Sequence, residues 1–214
     1  QQRRRRDLDA KKDLPAETLD GLSITLLANI DLPKEIELAV DNGARGVGMY
    51  RTEFLYLNYR LPSEKEQFQA YAKIVEAMAP APVTIRTIDL GGDKLSHVLD
   101  VKTEDNPFLG WRGLRICLDE PDLFKTQLRA LLRASGLGKL RILLPMISDT
   151  QELACARALM DEVKEELRAS GQAFGEDAEL GVMVEVPSVA LMVDRFAPHC
   201  DFLSLGTNDL TQYT

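Results

Sequence analysis

A chain of 214 residues with 45% apolar side chains can bury a substantial core and has the size of one α/β domain. Its formal charge of −8 argues against a general nucleic-acid or anionic-membrane role, because a negative field repels phosphates. Three cysteines, odd in number and without CxxC spacing, argue against a disulfide framework or a zinc site.

Cys117, Cys155 and Cys200 read instead as small buried or half-buried residues. The opening QQRRRRDLDAKKDLP lacks the apolar core of a signal peptide, and no stretch approaches about 18 consecutive apolar residues, so a cytoplasmic protein without membrane insertion is expected. The Arg3 to Arg6 run reads as a solvated part of a connecting helix that breaks at Asp13-Leu14-Pro15.

In chain order, nearly continuous apolar runs predict strands at Ser23 to Ile30, Gly46 to Phe54, Val83 to Leu90, Leu140 to Ile147, Leu180 to Pro187 and Phe202 to Leu205. Such runs suit strands buried on both faces. Helical periodicity falls between them, near 33–42, 63–79, 120–134, 150–170 and 188–197. Ser63 with Glu66 three residues on is an N-terminal capping signal. Leu153, Ala156, Met160, Val163 and Leu167 form one apolar stripe, as an outer helix packed on a sheet requires. The last residues, Gly206 to Thr214, read as a polar loop with nothing after it to complete a fold, so a fragment is expected.

Strands alternating with helices predict a parallel sheet, either open and doubly wound or closed as a (β/α)8 barrel. Polar residues gather at the C-terminal ends of strand after strand: Asn29, Arg51-Thr52-Glu53, Arg86 with Asp89, Glu185, and Asn208-Asp209. Convergence on one rim from nearly every strand favours the barrel, with about six of its eight units present. Arg51, Arg86 and Arg112 at that rim predict an anionic ligand, since the guanidinium fork matches phosphate or carboxylate oxygens in pairs. Glu185 inside the apolar GVMVEVP needs a partner. Either it joins Asp209 in holding Mg²⁺, or it forms a buried Glu-Arg pair.

Other signals carry less. Gly91-Gly92-Asp93-Lys94 lacks P-loop spacing and reads as a tight turn with Lys94 as a spare cation. The rigid, aromatic NPFLGWR segment reads as a wall holding Arg112 toward the ligand. His97 and His199 read as surface residues.

GVGMYRTEF, RTIDLGGDK, NPFLGWR, LLRAS with GKLRILLPM, GVMVEVPS and SLGTNDLTQYT stand in this order, and together they resemble a known family. It is the C-terminal barrel of enzyme I of the phosphoenolpyruvate-dependent phosphotransferase system. Pyruvate phosphate dikinase and phosphoenolpyruvate synthase share the barrel and are the alternative, although NPFLGWR and TNDLTQYT read closest to enzyme I. The resemblance implies a phosphoenolpyruvate-binding TIM barrel over 15–214 after the end of a helical linker at 1–14. It implies phosphoenolpyruvate-protein phosphotransferase activity, with transfer to a histidine of an N-terminal domain and on to a histidine-containing carrier protein, releasing pyruvate. Arg51, Arg86, Arg112 and Asn208 would hold the phosphate, Glu185 and Asp209 would ligate Mg²⁺, and the barrel would form a homodimer. The family's acid cysteine and phosphoacceptor histidine have no counterpart at motif positions here, so the isolated chain is expected to be inactive and its outer strands exposed. A non-catalytic dimerisation or binding module is the reading from another class.

Overall fold

The computed structural model describes residues 12, 14–56, 60–91 and 110–214. Their framework is a six-stranded sheet in which every neighbouring pair is parallel and the spatial order equals the chain order. The strands are β1 (Ala28–Ile30), β2 (Val47–Tyr50), β3 (Val83–Arg86), β4 (Leu140–Leu144), β5 (Glu179–Val184) and β6 (Phe202–Leu205). A doubly wound sheet must reverse its order at a switch point. This sheet does not, so its crossovers all wind the same way and it curls as six consecutive units of a (β/α)8 barrel.

The helices pack outside that curve. They are α1 (Ile36–Asp41), α2 (Glu64–Met78), α3 (Leu114–Asp119), α4 (Pro121–Ser135), α5 (Thr150–Ala169), α6 (Pro187–Leu191), α7 (Val193–Phe196) and α8 (Thr207–Tyr213). The capping signal at Ser63 is realised at the start of α2: the Glu66 N–H donates to Ser63 Oγ, and the Ser63 N–H donates to Glu66 Oε2 at 2.9 Å. Asp149 caps α5 in the same reciprocal way with Glu152. The α5 stripe of Leu153, Ala156, Met160, Val163 and Leu167 is buried, as its spacing predicts. Beneath it the core joins Tyr71 and Ile74 of α2, Phe124 and Leu128 of α4, and the helix-facing residues of the strands.

Several elements differ from expectation, each for a local reason. The strand expected from Ser23 begins only at Ala28, because Ser23 pairs antiparallel with Glu17 and the Ile24 N–H donates to the Ala16 carbonyl. The second strand stops at Tyr50, and Glu53–Tyr56 turns into a 3₁₀ segment. The third stops at Arg86: the Thr87 N–H still donates to the Leu143 carbonyl, but the two donors after it are taken by side chains, Ile88 N–H by Gln127 Oε1 at 3.0 Å and Asp89 N–H by Glu53 Oε1 at 3.1 Å. The polar stretch read as a terminal loop is the helix α8, whose Thr211 hydroxyl donates to the Thr207 carbonyl. The helix α3, not foreseen, follows Gly113, whose φ of 59° suits a residue without Cβ.

The outer strand β6 leaves Leu205 75% exposed. Cys117 is buried and Cys155 and Cys200 half-buried, all free thiols, as expected. His199 lies at the surface, whereas His97, Gly92 to Lys94, the Arg3 to Arg6 run and Asn106 to Leu109 lie outside the described residues. No helix among the described residues is long and apolar enough to cross a membrane.

Replacing Asp149 with Ala removes the N-cap of α5 and should lower stability by about 1 kcal/mol. Urea denaturation should show an earlier midpoint with an unchanged slope.

Candidate functional site

The C-terminal ends of the strands enclose a cavity of about 430 Å³, lined by Asn29, Met49, Arg51, Arg86, Asp89, Arg112, Met183, Leu205, Gly206 and the start of α8, Thr207-Asn208-Asp209. At about 4.8 Å between neighbours, a flat sheet of this width would set its outer strands about 24 Å apart. Residues from β1 and from the end of β6 nevertheless line one cavity, so curvature builds the site.

Arg51, the first residue after β2, reaches out to Asp31 at 2.8 Å, and both side chains are well exposed. The two other arginines lie deeper. Arg86 ends β3; its Nη2 donates to Glu53 Oε1 at 2.9 Å and its Nη1 faces Asp89 Oδ2 at 2.8 Å. Arg112 donates through Nε and Nη2 to both oxygens of Asp89, at 3.0 and 2.8 Å, and through Nη1 to Asp209 at 3.0 Å. Asp89 therefore serves both guanidinium groups, and its side chain is 1% exposed. Burial opposes the charge on Arg86, but Asp89, Glu53 and Glu185 outweigh it and hold that guanidinium firmly protonated.

Glu185 follows β5 and is fully buried. Its Oε1 accepts the Met146 N–H at 2.7 Å, while Oε2 has no hydrogen-bond partner among the described residues. The buried Glu-Arg pair is not formed among the described residues; Arg86 acts on Glu185 only at longer range. Burial pushes the Glu185 carboxyl up from its ordinary 4.5 to about 7, with Asp89 and Asp209 adding to the rise while the Met146 bond and Arg86 oppose it. Met146 presents that N–H from a left-handed backbone, φ 59°, which is unfavourable for a residue with a Cβ.

Two glycines keep the site open. A Cβ on Gly206 would stand 2.8 Å from Glu185 Oε2, and one on Gly113 would stand 3.1 Å from Asp89 Oδ1. Side chains there would displace the carboxylates.

The sequence-predicted Arg51, Arg86, Arg112, Asn208 and Asp209 are thus brought to one cavity, and Glu185 lies directly beneath Gly206 at its floor. Sequence reasoning did not assign the acidic partners Glu53 and Asp89, although both sit in the polar clusters after β2 and β3. Nor did it find Gln127. This fully buried amide of α4 accepts from Ile88 N–H and donates to Thr52 Oγ1 and Tyr71 Oη, fixing both loops from below. A polar residue on the apolar face of a helix was the available signal.

No group of three or more metal-ligating His, Cys, Asp or Glu side chains occurs among the described residues. The donor chemistry nevertheless suits a hard divalent ion, which needs only one or two carboxylates when ligand oxygens and water complete its shell. Glu185 offers a buried oxygen without a partner, and Asp209 lies close enough to raise its pKa. Among the described residues, the four carboxylates Glu53, Asp89, Glu185 and Asp209 face the two guanidinium groups of Arg86 and Arg112, an excess of two negative charges when all are ionised.

Comparison with known proteins agrees with this geometry. Residues 5–214 match the family of PEP-utilising enzymes, PEP-binding domain. The chain is 48% identical over 211 residues to the phosphoenolpyruvate-protein phosphotransferase of Staphylococcus carnosus, covering 98% of this chain and 37% of that protein. It is 49% identical over 198 residues to the protein of the same name from Latilactobacillus sakei, covering 92% of this chain and 34% of that protein. The chain therefore spans little more than a third of the length of these curated relatives. With its fold, its rim and nearly its whole length in register with them, the chain belongs to the family of phosphoenolpyruvate-utilising enzymes and corresponds to their phosphoenolpyruvate-binding domain.

Proposed function

We propose that the rim cavity binds phosphoenolpyruvate together with Mg²⁺, and that the chain acts as the phosphoenolpyruvate-binding barrel of a phosphoenolpyruvate-protein phosphotransferase. The observation that carries this reading is the pair of buried guanidinium forks, Arg86 and Arg112, set beside the partnerless oxygen of Glu185. Cations for a phosphate and ligands for a divalent ion thus meet in one small space.

The steps assigned to this chain are binding and charge stabilisation, as phosphoryl transfer demands little covalent chemistry of the protein. Arg86 and Arg112 hold phosphate oxygens through paired N–H groups, Arg51 closes the outer rim by exchanging Asp31 for the ligand, and the Asn208 amide donates beside them. Glu185 and Asp209 would hold Mg²⁺. When bound, Mg²⁺ would neutralise charge on the phosphoryl and carboxylate oxygens of the ligand. Asp209 is in contact with Arg112 here; were it to hold the metal, the Nη1 donor of Arg112 would turn to the phosphate. The phosphoacceptor histidine, the acid that protonates the enolpyruvate carbon, the carrier protein, dimerisation through the barrel and a cytoplasmic setting complete the proposal from the family resemblance.

Calorimetry of phosphoenolpyruvate binding tests the reading. The negative excess at the rim repels a trianion, so binding should be at least tenfold tighter with Mg²⁺ than without it. Absence of binding under both conditions would leave a non-catalytic module as the reading. Arg86→Ala should weaken Mg²⁺-dependent binding by at least tenfold, since a hydrogen bond to a charged group is worth about 1.5–3 kcal/mol.

The raised Glu185 carboxyl predicts a pH dependence. In the metal-free chain its contribution to stability is present below about pH 4.5 and is lost as pH rises through about 7, because the folded state holds the proton more tightly. Glu185→Gln should remove this loss, so that urea midpoints measured at about pH 5 and about pH 8 differ less than in the parent chain.

A further inference from the structure

Arg86 and Arg112 come from different segments, and nothing in their own backbone forces their guanidinium planes to converge. Asp89 is their common partner. Both of its oxygens accept from Arg112 and Oδ2 also faces Arg86, all within 3.0 Å. The residue is itself braced by Glu53. Glu53 Oε1 accepts both the Asp89 N–H at 3.1 Å and Arg86 Nη2 at 2.9 Å, and Gly113, lacking a Cβ, leaves the room that Asp89 Oδ1 occupies. Guanidinium groups on long side chains carry rotamer entropy, which a rigid shared acceptor removes before any ligand arrives.

We propose that Asp89, braced by Glu53, is a positioning residue that holds Arg86 and Arg112 as one preorganised double fork for the phosphate of the ligand. Asp89 does not touch the ligand; it acts through the two arginines. This inference rests on the cavity being the phosphoenolpyruvate site.

Asp89→Asn separates the proposal from simple electrostatics, because the two predict opposite signs. Removing a negative charge beside an anion site, by charge alone, tightens binding of an anion. Loss of positioning loosens it, as an amide offers a single acceptor oxygen where two guanidinium groups need both. In the full chain with saturating Mg²⁺, calorimetry should give a phosphoenolpyruvate Kd at least tenfold higher in Asp89→Asn than in the parent, at a temperature where both chains are fully folded. Equal or tighter binding overturns the proposal. A ligand-free arm reads the arginines directly by NMR: solvent exchange of the Arg112 Nε–H should be at least tenfold faster in Asp89→Asn, and unchanged exchange also overturns it. If the parent chain binds no phosphoenolpyruvate, the functional reading fails, and the exchange arm alone decides whether Asp89 holds the arginines. Should Asp89→Asn not fold, Glu53→Gln takes its place, with weaker binding expected and equal or tighter binding overturning the proposal.

Discussion

A carboxylate shared by two guanidinium groups, nearly out of reach of water, sets the terms for the rest of the rim. Without Asp89 the buried charge of Arg86 would keep Glu53 and that of Arg112 would keep Asp209 among the described partners, a weaker compensation in a low-dielectric setting. Meeting both requires the chain after β3 to leave the sheet at Thr87 and turn its Asp89 side chain inward. The layer between sheet and helices supports that turn. Gln127, reaching in from α4, takes the Ile88 N–H, and Glu53 takes the next, so the loop is bonded to side chains where a strand would bond to its neighbour. Core packing and site geometry therefore share residues, and Thr52, Tyr71 and Gln67 extend the same buried polar chain into α2.

The arrangement also stores an imbalance. Among the described residues carboxylates outnumber guanidinium groups at the rim, and Glu185, with an oxygen that no described donor reaches, holds its proton more tightly, through burial first and then through Asp89 and Asp209. A site with only enough positive charge for its own acids would be complete and inert toward an anion. On the proposed reading, an acidic surplus beside two fixed cations would instead give places to a divalent ion and a phosphate at once, and would couple their binding. The left-handed Met146 and the close approach of Gly206 are consistent with a backbone shaped around Glu185 at some local cost.

Curvature of the sheet makes these contacts possible. Because spatial order follows chain order, the rim brings Asn29 at one side and Asn208 at the other to a single cavity. The same geometry lets Arg112 meet Asp209, 97 residues along the chain.

Much of this was legible beforehand. Apolar runs marked all six strands, the Ser63 signal and the α5 stripe were realised residue for residue, and the polar residues after each strand named most of the cavity wall. Those features depend on neighbours within a few positions, where hydrophobic period and backbone capping act directly. Strand ends and the pairing of charges were not legible. Thr207 to Tyr213 read as loop because its helix-starting residues are also turn residues, and Glu185 read equally as half of an ion pair. The sequence by itself determined which side chains reach the rim. Only the tertiary structure decided that Arg86 closes on Glu53 and Asp89, that Arg112 closes on Asp89 and Asp209, and that Glu185 keeps an oxygen free, because those partners are chosen by distance across a curled sheet and not by spacing along the chain.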